Sequence, residues 1–430
     1  MADEVALEGN VETPVEEVDA RRWALPFFTI WTGQAFSLLG SRVADFALVW
    51  WLTQMSGGSA TMLATLSLVA VLPYVLIGPV AGALVDRWFR RRVMIVADSL
   101  VAALAAWVGA MAWVGSLQSW HVFLFVFVRS VGGVFHRSAM QAATSLMVPK
   151  AQLARISGMN QTLQGALMIA APPLGALAVS FLSLQAIMGI DLITAAFAVA
   201  PLLFTSIREP SSRNEMAQSR PIATLVRDIR EGFAYVLSWP GLVILMALAA
   251  LLNGLINPAF ALSPILVTQH FGGGALELGW FDSAWGIGLI LGGLTLSVWG
   301  GFKRRVYTSL MGLVGMGAAL VLVGLVPASI YSLALGSVFV AGLMNTLVNG
   351  PFLAIIQETV EPGVQGRVFT TIMSLASLAE PLGMAIAGPV ADAFGVQFWF
   401  VLGGGVSLLM GVGLRAVPAV VNLEQGRPTG

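Results

Sequence analysis

Read for hydropathy alone, the chain alternates long apolar runs with short polar interruptions. A helix needs about 20 mostly apolar residues to cross bilayer hydrocarbon. Twelve runs of that order can be placed, at 25-54, 61-83, 93-115, 121-146, 157-180, 186-206, 240-269, 276-300, 306-326, 331-355, 368-390 and 396-417. Turn-forming clusters separate them, among them Ser56-Gly57-Gly58-Ser59, Gly272-Gly273-Gly274, Pro327 and Glu361-Pro362-Gly363. Glycine and proline break the helical pattern at such points. The pattern predicts an all-α polytopic membrane protein with twelve transmembrane helices.

One longer polar stretch, Ser206 to Ser238, divides the runs into six and six. The expected division is an acidic tail over 1-22, a six-helix bundle over 23-206, a linker over 207-239, a second bundle over 240-417 and a tail over 418-430. Within the linker, Ile222, Leu225, Val226, Ile229 and Phe233 recur at helical spacing among Arg227, Asp228, Arg230 and Glu231. That spacing suits an amphipathic helix on the membrane surface, or equally a solvated linker helix.

Composition agrees with a membrane solvent. Of 430 residues, 57% are hydrophobic and 10% charged, where a soluble domain carries charge on about 25% of its positions. The first twenty residues hold seven acids and no Lys or Arg, which predicts a disordered tail and no signal peptide. Cysteine is absent, excluding disulfides, thiolate metal sites and cysteine nucleophiles. The two lysines, Lys150 and Lys303, end no Gly-x4-Gly-Lys-Ser/Thr loop, so ATP hydrolysis is not expected. His121, His136 and His270 lie far apart without metal-ligand spacing. The expected cofactor and metal content is therefore none, with no nucleic-acid partner and no enzymatic activity.

The net charge of zero says less than the placement of the charges. With the N-terminus inside, Arg21 and Arg22, Arg87 to Arg92, Lys150, Arg155, the arginines from Arg208 to Arg230, Lys303 to Arg305, Arg367, Arg415 and Arg427 all fall on the cytoplasmic side. The six outer loops then contain no Lys or Arg. Cytoplasmic loops collect these residues, so both termini are expected in the cytoplasm.

The two halves share local wording. Val148-Pro149 with Arg155 matches Val360-Glu361-Pro362 with Arg367, and Pro173-Leu174-Gly175 matches Pro381-Leu382-Gly383. Between helices 2 and 3 the chain reads Gly82-Ala83-Leu84-Val85-Asp86-Arg87-Trp88-Phe89-Arg90-Arg91. This resembles the major facilitator superfamily signature Gly-x-Leu-x-Asp-Arg-x-Gly-Arg-Arg, with Phe89 in place of the second glycine. Gly78-Pro79 before it, and Gly33-Gln34 and Ser37 on helix 1, resemble the macrolide-efflux branch of the drug:proton antiporters. Siderophore exporters and lysophospholipid flippases share much of that wording. Arg129, Gly132, Gly133 and Arg155 match a second family signature on helix 4. Gly158, Pro172 and Gly175 fit the helix 5 antiporter pattern, while Leu167 and Ala171 replace two of its glycines.

The resemblance implies two pseudo-symmetric six-helix bundles in the cytoplasmic membrane of a prokaryote. It implies export of amphipathic or hydrophobic compounds by proton antiport and alternating access. The expected partners are a small-molecule cargo, protons and the lipid bilayer, and the expected state is a monomer. Gly82, Asp86, Arg87, Arg90 and Arg91 are its gate lock, with Asp86 facing the inner end of helix 11 near Arg367 in one conformation. A membrane-embedded enzyme would need a clustered nucleophile or metal site, and a sensor a folded soluble domain; the sequence offers neither.

Ionisable groups at membrane depth are costly and point to function. Asp45 and Arg129 each lie roughly 12 to 14 Å below the outer surface at 1.5 Å rise per residue, so a contact is expected, with Arg42 one turn from Asp45. The pair reads either as a static tie between helices or as part of proton or substrate coupling. Glu380 sits near the middle of helix 11, and apart from Arg415 at the inner end of the last run no Lys or Arg lies in the membrane segments of the second half. A desolvated carboxyl without a cation keeps its proton and can exchange it when water enters. Asp282 and Asp191 lie nearer the outer ends of helices 8 and 6, within reach of water, and Asp98 lies near the arginine hinge; all three read as structural, Asp282 being also a candidate for the substrate cavity.

Uncharged polar groups outline a substrate cavity: Gln34, Asn160, Gln161, Gln164, the i,i+4 pair Asn253 and Asn257, and the i,i+4 pair Asn345 and Asn349. Hydrogen bonding between helices would account for them equally well. Trp50, Trp51, Trp280, Trp285 and the methionines are candidates for an apolar pocket wall.

Overall fold

The computed structural model describes residues 23–85, 87–205, 230–231, 233–361 and 365–425. Among the described residues, twelve helices are long and apolar enough to cross a membrane. They are α1 (Ala24–Met55), α2 (Ala60–Val85), α3 (Arg90–Trp113), α4 (Ser119–Met147), α5 (Leu153–Phe181), α6 (Leu184–Phe204), α7 (Pro240–Ala261), α8 (Ala275–Trp299), α9 (Arg305–Leu325), α10 (Tyr331–Thr359), α11 (Gln365–Phe394) and α12 (Gln397–Gly413). The described residues contain no strand.

Local chemistry sets the helix ends. After α1 the backbone turns through Gly57 and Gly58, at φ 62° and 77°, a left-handed conformation that glycine adopts without a Cβ clash. At the start of α8 the Glu277 carboxylate accepts the Gly274 N–H at 2.7 Å, placing an anion where the helix dipole is positive. Phe89, before α3, is extended at φ −70° and ψ 107°, so the missing signature glycine costs nothing there. The seventh apolar run is not one helix: α7 ends at Ala261 with Leu262 as its cap, and a short turn Ser263–Ile265 and a π-helical turn Leu266–His270 follow. Pro264 has no N–H to continue the ladder. The expected amphipathic linker helix falls mostly outside the described residues; 230–231 and 233–237 are helical.

Packing repeats with an offset of six. In the first half α1 packs on α5 and α6, α3 on α4 and α6, and α2 on α4; in the second half α7 packs on α11 and α12, α9 on α10 and α12, and α8 on α10. The halves meet along two seams, α2 with α11 and α5 with α8. This is the pseudo-symmetric pair of bundles that the sequence predicts. Lipid gives helices no hydrophobic reason to associate, so small residues admit the close approaches. A Cβ added to Gly383 of α11 would run into the carbonyl of Gly254 on α7. Side chains such as Phe204, Val298 and Trp113 are left 89%, 89% and 80% exposed, tolerable where the surrounding solvent is hydrocarbon.

The two ends of the molecule differ in charge. The α2–α3, α4–α5 and α8–α9 connections carry Arg87, Lys150, Lys303 and Arg304, and Arg367 lies in the first turn of α11 at the same end, whereas the connections at the opposite end contain no Lys or Arg. At the basic end Arg91 donates from Nε and Nη2 to the carbonyls of Leu202 and Leu203. A cation there meets the negative end of the α6 dipole, so Arg91 ties α3 to α6 within one bundle.

Candidate functional site

A cavity of about 1070 Å³ lies between the bundles. Met168, Met316, Met373, Met384 and Met410 line it, with Trp285 packed on Phe260 at 4.4 Å between ring centroids. Methionine is unbranched and polarizable, so such a wall adapts to ligands of different shape. At the basic end the lining includes Val306, Ile355 and Leu414, from α9, α10 and the turn after α12.

Toward the arginine-free end the halves close on each other. Ser283 Oγ of α8 donates to the Ile169 carbonyl of α5 at 2.9 Å. Gln269 Nε2 donates to the Gly57 carbonyl at 3.0 Å, and the Asp392 carboxylate of α11 accepts from the start of α2. The cavity thus reaches toward the basic end and is shut at the other.

Three polar groupings stand in or beside it. In the first, Arg129 Nη1 of α4 lies 3.1 Å from Asp45 on α1 and 4.0 Å from Asp191 on α6. Ser41 Oγ donates to Asp191 at 2.9 Å. The Asp45 side chain is 41% exposed and lines the cavity beside Arg42; Asp191 is 3% exposed. The expectation that water reaches Asp191 is corrected, because α6 turns it inward onto Arg129. No lining residue comes from α4, so Arg129 supports the wall from behind.

The second grouping lies on the α7, α8, α10 and α11 walls. Asn257 donates to Asn253 at 3.2 Å and is hydrogen-bonded to Glu380. Asn349 donates to Asn345 at 3.1 Å. Asp282 is hydrogen-bonded to Ser263. All six of Asn253, Asn257, Asp282, Asn345, Asn349 and Glu380 line the cavity, and Gln164 faces them from α5.

The third is outside the cavity and corrects three expectations. Gln34 is 7% exposed and donates to Asp98 at 3.1 Å. His136 Nε2 faces the same carboxylate at 3.4 Å. Gln34 is therefore a tie between α1 and α3 rather than a cavity residue, and Asp98 belongs to this tie rather than to the arginine hinge. Asn160 likewise accepts from Trp31 Nε1 at 2.7 Å and is not part of the lining. Of the four tryptophans proposed for the wall, Trp285 alone lines it.

On α5, Pro172 lines the cavity and its carbonyl faces Gly279 of α8; Gly175 lies against Phe46 of α1, and Gly158 borders open space. Among the gate-lock residues, Asp86 lies outside the described residues, Arg90 is 5% exposed and Arg91 is engaged with α6. Ser41, Ser263, Ser283 and Asp392 escaped the sequence reading. For Asp392 there was a signal: Gly388-Pro389-Val390-Ala391 before it repeats Gly78-Pro79-Val80-Ala81, which precedes Asp86.

Comparison with known proteins adds the following. Residues 24–426 match the family described as transmembrane secretion effector. Macrolide efflux protein A of Streptococcus pyogenes is 34% identical over 382 residues, covering 89% of this chain and 93% of the relative. Multidrug efflux pump Tap of Mycolicibacterium fortuitum is 27% identical over 386 residues, covering 87% and 91%. Among solved structures, a mutant of the nucleoside transporter NupG superposes with a TM-score of 0.69 at 12% identity, covering 91% of this chain and 99% of that one. The inward-open xylose transporter XylE from E. coli gives 0.64 at 12% identity, covering 90% and 96%.

Proposed function

The chain belongs to the transmembrane secretion effector family of major facilitator transporters, and from that premise we propose that it exports amphipathic or hydrophobic compounds, macrolide-like drugs among them, by proton antiport. The carrying observation is the cavity itself: about 1070 Å³, walled mainly by apolar side chains, leucine, methionine and aromatic residues prominent among them, with polar groups that converge from both bundles. Such a site takes large apolar ligands and fixes their orientation through few polar contacts.

The basic end faces the cytoplasm, as loops rich in Lys and Arg do, and the membrane is the cytoplasmic membrane of a bacterium. Cargo enters from that side while the opposite end is shut. Rocking of the bundles along the α2/α11 and α5/α8 seams then exposes it outside. Asp45 and Glu380 carry the coupling proton, one on each bundle and both on the cavity wall. Taking up a proton from outside neutralises a carboxyl that cargo had engaged, and losing it to the cytoplasm restores the site.

Inverted membrane vesicles energised for respiration and given a fluorescent macrolide-like or cationic compound should accumulate it, and a protonophore should abolish the accumulation. Equilibration indifferent to the proton gradient would instead mark a facilitator or a lipid flippase.

A further inference from the structure

Helices α2 and α11 run antiparallel along one seam, and their contacts differ at its two ends. At the arginine-free end, Asp392 Oδ1 of α11 accepts the Ala60 N–H at 2.8 Å, and Oδ2 accepts the Thr61 N–H at 3.2 Å and the Thr61 hydroxyl at 2.6 Å. These are the first two N–H groups of α2, which have no partner within their own helix. The next donor, Met62 N–H, points to Ser59 Oγ at 3.4 Å. The amino end of α2 is thus capped half by its own chain and half by the opposite bundle. An anion at that position also meets the positive end of the helix dipole. Gly388, four residues earlier on α11, lies so close to Thr61 that a Cβ would meet its backbone.

At the basic end the described residues leave the same seam looser. Gly78 and Gly82 of α2 occupy the stretch that begins with the repeated Gly-Pro-Val-Ala wording, yet among the described residues a Cβ on either meets nothing within 4 Å. Among the described residues the seam is therefore in close contact at the Gly388 end and without such contact at Gly78 and Gly82.

We infer that Asp392 is the latch of the arginine-free gate, holding the two bundles together there only while the cavity opens toward the basic end. Both partners are at the surface: Asp392 and Thr61 are exposed, so opening returns them to water. The Gln269 to Gly57 bond spans the same interface one helix away, and it parts in the same movement. The alternation of gates rests on the transport cycle proposed above. The latch does not depend on which compound is carried or on what drives it.

The chain has no cysteine, so a spin-label pair can be placed without background. Ser116→Cys on the α3–α4 connection and Ser329→Cys on the α9–α10 connection lie at the arginine-free end, one in each half, and both positions are exposed. In proteoliposomes without cargo, Asp392→Ala should add a longer-distance population and raise the open-to-closed ratio there by on the order of tenfold, the effect of losing a helix cap. Thr61→Ala should do the same to a smaller extent, and Asp392→Ala with Thr61→Ala should do no more than Asp392→Ala alone. An unchanged distance distribution in a monodisperse Asp392→Ala protein would overturn the latch, and so would strict additivity of the two substitutions. Because the readout is a distance, a protein that proved to carry another cargo, or none, would leave this result interpretable. Failure of vesicle transport with an intact distance response would count against the efflux reading alone.

Discussion

Asp191 changes what Asp45 has to do. Arg129 is shared between them, and Asp191 is the member held in place, buried and bonded to Ser41. Asp45 faces the cavity and can change its charge without leaving Arg129 unpaired. Removing Asp191 leaves Arg129 to Asp45 alone and takes the buried acceptor from Ser41, and breaking a buried pair costs up to about 3–5 kcal/mol. Asp191→Leu should therefore lower the thermal unfolding temperature in detergent markedly, whereas Asp45→Asn should fold as the parent does. The two should separate again in vesicles: Asp45→Asn, like Glu380→Gln, should flatten the pH dependence of transport. A sharply destabilised Asp45→Asn would reverse the assignment. The Asp45–Arg129 contact was legible in the sequence because depth is a count of residues along a helix. Facing is a different quantity. Gln34 and Gln164 both read as cavity residues, yet only Gln164 lines it. Each residue turns a helix by about 100°, and which way it turns is fixed by packing partners that no single chain segment reveals.

At the scale of the element, hydropathy located the helices within a few residues of Ala24–Met55 through Gln397–Gly413, since bilayer thickness imposes one length on all of them. The exception is the seventh run, where the apolar pattern continues through a break at Leu262. The turn is buried, from Leu262 to Val267, and a buried turn can stay apolar, so hydropathy cannot see the end. Close crossings were equally hidden. Gly254 and Gly383 stand 129 positions apart and meet backbone to backbone. Gly383→Leu should destabilise the second bundle by about 1–3 kcal/mol through overpacking. Gly158→Leu, on α5 of the first bundle, enters open space and should leave the protein as stable as the parent. Thermal unfolding of the two variants side by side decides the point.

For the whole molecule, the contrast between a basic end and an arginine-free end predicts which face is cytoplasmic. In intact cells an impermeant maleimide should label Ser329→Cys, and should label Lys303→Cys only after permeabilisation. The reverse pattern would invert the orientation and turn the proposed exporter into an importer. The Asp392 cap bears on turnover. A gate closed by an ion pair deep in hydrocarbon would hold one state in a deep well, and each cycle would have to climb out of it. A cap at the surface exchanges protein donors for water when it opens, a difference of about 0.5–2 kcal/mol. That is small beside the binding energy of one cargo molecule at micromolar affinity, about 8 kcal/mol. A pump latched in this way rests near balance between its two states, and so can be turned by many chemically different passengers, none of which needs to bind tightly.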